Sequence, residues 1–279
     1  MTRTLESPAR ARFAALIARE PIPLDAAALA IASEEYPHLE EGACLARLDA
    51  LAERVRRASP APFRAASALR ALREVLAEEE GLRGNADDYY DPRNSFLNEV
   101  LERRLGIPIS LSVVYIEVAR RAGLALHGVG VPGHFLAKYA SPSGAEVFVD
   151  AFRCGEMLSA DECVARFRER SGGRELDRRW LEPVGTRQIL ARMLQNLRRV
   201  YSDRKDDVSA YWVLDRILLL SPAHLGALRD RGLAAARLGG AGAAARDLEA
   251  YLSRAPEASD ADEVREMLAA LRRERPMFN

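Results

Sequence analysis

The chain has 279 residues, 48% of them hydrophobic and 29% charged, the make-up of an ordinary globular protein with a core of real size. Lys plus Arg and Asp plus Glu balance at 41 each, so overall charge makes no case for a nucleic acid partner or an anionic membrane. No apolar run approaches the roughly 20 residues needed to span a bilayer, and Met1–Pro8 lacks the apolar stretch of a signal peptide, so a cytoplasmic protein is expected.

From Pro8 to about Glu80 the pattern is helical, with apolar residues at Phe13, Leu16 and Ile17 and again at Leu45, Leu48, Leu51 and Val55. Asp25 is expected to cap a helix over Ala27–Glu35 that ends at Pro37, and Ser59 to Phe63 should break the next helix. A further helix, Ala66–Glu79, stops at Gly81, and the acidic residues crowding its last turn oppose the helix dipole and predict a frayed end. The polar, aromatic stretch Asn85 to Ser95 reads as a loop. Asn94 or Ser95 is then expected to cap a helix over Phe96–Leu105 ended by Gly106, and a second helix should run from Ser110 to Ala122 before Gly123. Strand-like runs follow at Ala125–Val131, His134–Tyr139 and Glu146–Ala151, the last two joined by a turn over Ser141–Gly144. Helices followed by antiparallel strands give an α+β layout.

After Trp180 the chain is helical again and repeats itself. Ser221-Pro222 recurs 34 residues later as Ala255-Pro256, and Ala210/Ala244, Leu214/Leu248 and Asp215/Glu249 share the offset. That is the period of tetratricopeptide helix pairs. Gly232 stands where such a repeat wants a small residue between packed helices; a first repeat beginning near Arg192 and a capping helix over Asp260–Arg273 complete the expectation. Three segments result: a helical part over 1–84 packing on the core, an α+β core over 85–184 and a repeat region over 185–279.

The three cysteines, Cys44, Cys154 and Cys163, are odd in number and lack metal-type spacing, and His38, His127, His134 and His224 are scattered, so neither a disulfide framework, nor a metal, nor a cofactor is expected. His134 is different in its setting. It follows the Pro132-Gly133 turn at the head of one strand, and Asp150 ends the next; in a hairpin centred on residue 142 the two fall opposite each other on one face. A carboxylate orienting an imidazole is the base half of a nucleophilic triad, though a structural histidine and a turn aspartate would look the same. Ser110, at a helix start, is either an N-cap or a candidate nucleophile. Cys154, four residues past Asp150, is a second candidate at the pocket rim. Cys163, in a helix opened by the Ser159/Glu162 capping box, and Cys44, just before a helix, read as core. Tyr89, Tyr90, Asn94 and Asn98 are candidate binding residues that can line the same cleft.

The stretches Asn94-Ser-Phe-Leu-Asn, Arg104-Leu-Gly-Ile-Pro-Ile-Ser-Leu-Ser-Val-Val-Tyr, Pro132-Gly-His-Phe-Leu and Val149-Asp-Ala-Phe resemble the SirB-type family of bacterial proteins, in which a transglutaminase-like, papain-type core is joined to tetratricopeptide repeats. The resemblance covers roughly residues 30 to 260 and implies base and orienting roles for His134 and Asp150. Its nucleophile position falls near Pro108–Ser112, where this sequence has no cysteine. Two functions follow: a non-catalytic scaffold that binds a peptide or protein through the pocket and the repeat surface, or a hydrolase or acyltransferase using Ser110 or Cys154 with His134 and Asp150. A DNA-binding regulator would need a basic recognition helix, which the sequence lacks.

Overall fold

A computed structural model describes residues 7–59, 64–141 and 144–273 of the chain; Pro60–Phe63 of the expected helix break and Pro142–Ser143 of the expected hairpin turn lie outside them. The chain divides into two compact units. One spans Ala15–Met193; the other runs from Leu194 to the end of the described chain and includes the start of α1 (Pro8–Ile17). The division falls inside α8 (Thr186–Asp203).

The first unit is built around α6 (Pro108–Ala122), whose side chains are buried almost without interruption. Pro108 heads it, where the missing N–H costs nothing. Gly123 closes it with φ 90°, a left-handed turn that lets the Leu124 N–H reach the Ala119 carbonyl at 2.8 Å. Against α6 lies a five-stranded antiparallel sheet in the order β6-β5-β4-β3-β7: β3 is His127–Val129, β4 Leu136–Ala140, β5 Glu146–Asp150, β6 Glu156–Leu158 and β7 Pro183–Val184. The α+β class expected from the sequence is the one observed. On the far side stand α2 (Leu24–Ala32), α3 (Glu41–Ala58), α4 (Ala65–Arg73) and α5 (Leu97–Arg103). A short parallel pair, β1 (Arg83–Gly84) with β2 (Leu105–Gly106), ties that layer together.

Several expectations change for tertiary reasons. Helix α2 starts at Leu24, after Pro23, and Asp25 sits inside its first turn, holding the Arg121 guanidinium from 96 residues away instead of capping. The acidic end after α4 does not fray. It continues as a wider turn over Glu74–Glu79, and Arg54 grips both Glu79 and Glu80. Helix α5 ends at Arg103 with Arg104 left-handed (φ 63°), and Gly106 belongs to a strand, where a Cβ would meet Ser110 Oγ at 2.8 Å. Neither Asn94 nor Ser95 caps α5; both lie in a tight turn over Pro92–Ser95 that Asp91 caps through the Arg93 N–H. Cys44 is inside α3, half-buried, not ahead of it.

The second unit stacks α9 (Asp207–Leu220), α10 (Leu225–Arg237), α11 (Ala241–Arg254) and α12 (Ala261–Arg273), neighbour on neighbour. Ala210 and Ala244 are buried, and a Cβ on Gly232 would come within 2.8 Å of Leu248 Cδ2, so the small residues stand where the helices approach most closely. A charge ladder threads the stack. Asp215, at 1% exposure, accepts from Arg10 Nε and Arg231 Nη1, each at 2.8 Å, and from Arg216; Arg231 then forks onto Asp247 at 2.7 and 2.8 Å.

Candidate functional site

His134 is placed by the turn Val131–His134. The His134 N–H closes it on the Val131 carbonyl at 3.0 Å, and Gly133, at φ 72°, supplies the left-handed step. Arg192 of α8 holds the turn from below: Nη2 donates to the carbonyls of Val131 and His134, both at 2.8 Å, while the guanidinium lies 5.5 Å over the Phe135 ring. Burial pushes the Arg192 pKa down, with Tyr89 acting weakly the other way. No carboxylate stands within ion-pair distance of Arg192 among the described residues.

Asp150 ends β5. Its Oδ1 accepts from the Arg153 N–H at 3.3 Å, capping the turn over Ala151–Arg153, and its Oδ2 lies 2.8 Å from His134 Nε2. An ionised carboxylate only accepts, so Nε2 carries a proton, and in the neutral ring Nδ1 keeps its lone pair. No partner for Nδ1 is found among the described residues. The β4–β5 register pairs Ala137 with Val149 and Ala140 with Glu146, centring the hairpin on residue 143, one position beyond the expected centre. The partner of any strand residue thereby shifts by two. Because side chains alternate with a period of two, the shift preserves the face, and His134 still meets Asp150 from just outside β4.

The pair borders a cleft of about 450 Å³ lined by Val131, Leu136, Leu158 and Phe167 and by Arg153, Arg166, Arg170 and Glu169. The candidate nucleophiles are distributed otherwise than the sequence suggests. Ser110 is fully buried as the third residue of α6; its Oγ donates to the Asn94 carbonyl at 2.5 Å and accepts from the Ile107 N–H at 3.1 Å, closing the helix start from inside. Ile107, not Ser110, is the N-cap residue. Cys154 is exposed, in a left-handed conformation (φ 54°) after the Asp150-capped turn, and is not among the cleft residues. Cys163, read as core, is indeed buried, but it also borders the cleft; burial, then the charge of Asp150, pushes its thiol up to about 12.

Asn94 is fully buried. Its amide nitrogen donates to the carbonyls of Asp88 (2.7 Å) and Tyr89 (3.3 Å), and its oxygen accepts from Asn85 at 3.1 Å. It is therefore an internal strut of the loop, with no surface to offer a ligand. Asn98 is half-buried, its Oδ1 enclosed without a hydrogen-bond partner among the described residues. Tyr89 and Tyr90 are the loop's exposed aromatic residues, and their rings meet edge to face at 5.3 Å. Tyr89 touches Phe152 (6.0 Å) and Phe152 touches His134 (6.3 Å), so an aromatic ladder runs from the surface to the imidazole. Sequence reasoning missed Phe152, Arg192 and the cleft face of Cys163. Phe152, two residues past Asp150, was within reach of it; Arg192, 58 residues from His134, gave no local signal.

No group of three or more His, Cys, Asp or Glu that could hold a metal ion occurs among the described residues, and no helix there is long and apolar enough to cross a membrane.

Comparison with known proteins agrees with both units. A family model described as the transglutaminase-like superfamily matches residues 42–195, and one described as tetratricopeptide repeat matches 197–269. A UPF0162 protein of Xylella fastidiosa is 42% identical over 264 residues, covering 92% of each chain. A UPF0162 protein of Pseudomonas aeruginosa is 32% identical over 210 residues, covering 74% of this chain and 75% of the other. F-box only protein 21 of Mus musculus is 36% identical over 138 residues, which is 46% of this chain but 21% of that protein. No solved structure matches the chain. A transglutaminase-like core, followed by tetratricopeptide repeats and matched nearly end to end by the Xylella protein, places this chain in the UPF0162 family of the transglutaminase-like superfamily.

Proposed function

We propose that this chain is a peptide- or protein-binding scaffold of SirB type, with a regulatory role in the cytoplasm, that has lost transglutaminase-like chemistry. The observation that carries this reading is the state of the hydroxyl at the head of α6. Ser110 Oγ is enclosed and committed to the Asn94 carbonyl, so it cannot offer its proton to His134 without opening the loop that Asn94 holds. The thiol that does border the cleft, Cys163, is held protonated by burial. What remains is a recognition surface: a cleft with an apolar floor and a charged rim, a fixed imidazole and two displayed tyrosines. The tetratricopeptide helices add a docking surface of their own.

The intact His134–Asp150 pair favours a second reading, a hydrolase or acyltransferase working through Ser110 or Cys154. Labelling the purified protein and its His134→Ala variant with an electrophilic acyl probe, read by intact mass, decides between them. We expect no His134-dependent adduct in the folded protein. Stoichiometric labelling of Ser110 or Cys154 that disappears in His134→Ala establishes the enzyme instead.

A further inference from the structure

The three arginines at the cleft are not equivalent. Arg166 is committed, its guanidinium forked onto Glu156 with Nη1 at 2.7 Å from Oε2. Arg170 reaches only the Pro132 carbonyl, at 3.4 Å, and among the described residues no carboxylate lies within ion-pair distance of it. Arg153 is mostly exposed; the nearest acidic oxygen, Asp150 Oδ2 at 4.0 Å from Nε, is already taken by His134. The acids of the lining are Asp150, tied to His134, and Glu169. Two guanidinium groups thus stand without an anion of their own. The floor below them is apolar: Val131, Leu136, Leu158 and Cys163 are buried, and Phe167 packs on the same cluster. Beside both, His134 Nδ1 is available as a hydrogen-bond acceptor.

We infer that the cleft takes a carboxylate-bearing peptide segment: an apolar side chain on the floor, the carboxylate on Arg153 and Arg170, and a backbone N–H donating to His134 Nδ1. This assignment rests on the peptide-binding reading above and names its ligand chemistry. Guanidinium groups match carboxylates by charge and by planar, paired N–H donors. A volume of about 450 Å³ suits one or two residues rather than a folded surface. The last residue of a peptide supplies all three groups at once, side chain, carboxylate and N–H. An internal aspartate beside an apolar residue supplies the same chemistry, one residue further apart.

The test titrates the full chain, followed by backbone-amide NMR, with acetyl-Ala-Ala-Leu as the free acid, the same peptide as its C-terminal amide, and acetyl-Ala-Asp-Leu-amide. The free acid is expected to bind at least tenfold more tightly than the amide, with shifts at His134, Arg153 and Arg170. In the Arg153→Gln/Arg170→Gln double variant that advantage disappears. If the internal-aspartate peptide matches the free acid, the carboxylate assignment stands with a side chain as its source. Acid and Ala-Ala-Leu amide binding equally, with both lost in His134→Ala, overturns the carboxylate assignment and leaves a peptide cleft. Binding by none of the three peptides overturns the assignment and the peptide reading together.

Discussion

The two units of this protein differ in what their buried polar groups hold in place. In Ala15–Met193, beside an ion-pair cluster of Asp25 and Glu117 on Arg121, several interior polar side chains bond to backbone: Asn94 to Asp88 and Tyr89, Ser110 to Asn94, Arg192 to Val131 and His134, Lys138 to the Leu181 carbonyl. Each fixes one loop in one place. In the repeat unit the interior polarity is a ladder of like parts, Arg10, Asp215, Arg231 and Asp247, bonding side chain to side chain. The first scheme defines a site. The second staples neighbouring helices to one another. The difference teaches what each unit is built to hold constant: a point in one case, a surface in the other.

The ladder can be broken most forcefully at Asp215. Removing it in Asp215→Ala takes a buried carboxylate from Arg10, Arg216 and Arg231, of which Arg231 keeps Asp247, a loss of about 3–5 kcal/mol by the usual cost of breaking a buried ion pair. Urea unfolding should show the drop, and hydrogen exchange should place it in α9–α11 while the amides around His134 stay protected. Equal loosening of both units would mean that the contrast drawn above is false.

Asn94→Ala is the matching cut in the first unit. It strands the Asp88 and Tyr89 carbonyls and the Asn85 amide inside the loop, for about 2 kcal/mol. Here the expected signature is local: faster exchange over residues 85–95 and averaging of the Tyr89 and Tyr90 ring signals. A variant whose loop keeps its native exchange rates would show that Asn94 is not the strut.

Gly232→Ala sharpens the comparison by a smaller amount. The added Cβ gains helix propensity of up to about 1 kcal/mol but meets Leu248 Cδ2 and Cγ at 2.8 Å, where overpacking costs about 1–3 kcal/mol. Overpacking wins, and a net loss of about 1 kcal/mol in thermal or urea unfolding is expected; a stabilised variant would mean the helices are not at their limit of approach.

The smallest effect on stability and the clearest on reactivity belongs to Cys163. A thiol raised from 9.0 to about 12 has roughly a thousandth of the ordinary thiolate population at pH 8. Iodoacetamide should therefore alkylate Cys154 while Cys163 resists until the protein unfolds. The sign for stability follows from the raised value: Cys163's contribution is complete below pH 9.0 and is lost as pH climbs toward 12. Rapid alkylation of Cys163 in the native state at pH 8 would refute both statements.

Much of the architecture was legible in the sequence because it rests on local pattern. The repeat offset, the helix ended by Gly123 and the capping box at Ser159 and Glu162 all concern residues close in the chain, and all are observed. The approach of His134 to Asp150 was foreseeable even with the hairpin centre misplaced, because parity along a strand survives a shift of two. The polar details were less legible. Asp25 looked like a cap because its partner, Arg121, is far away in sequence, and the acidic end after α4 looked unstable because Arg54 belongs to another helix. Ser110 stayed open to two readings, cap or nucleophile, because nothing near it in sequence reveals that the Asn94 carbonyl accepts its proton. Asn94 itself has the polarity of a binding residue and the burial of a structural one.

The grip of Arg192 on the turn below His134 has a consequence for kinetics. With the carbonyls of Val131 and His134 both anchored and Gly133 already in its left-handed state, the imidazole is aimed before any ligand arrives. Association then requires no folding of the turn around its guest, so rates of capture should follow encounter rather than loop closure. Without that anchor the same ring would have to be found anew by each ligand, and the delay would appear in the on-rate before it appeared in any contact.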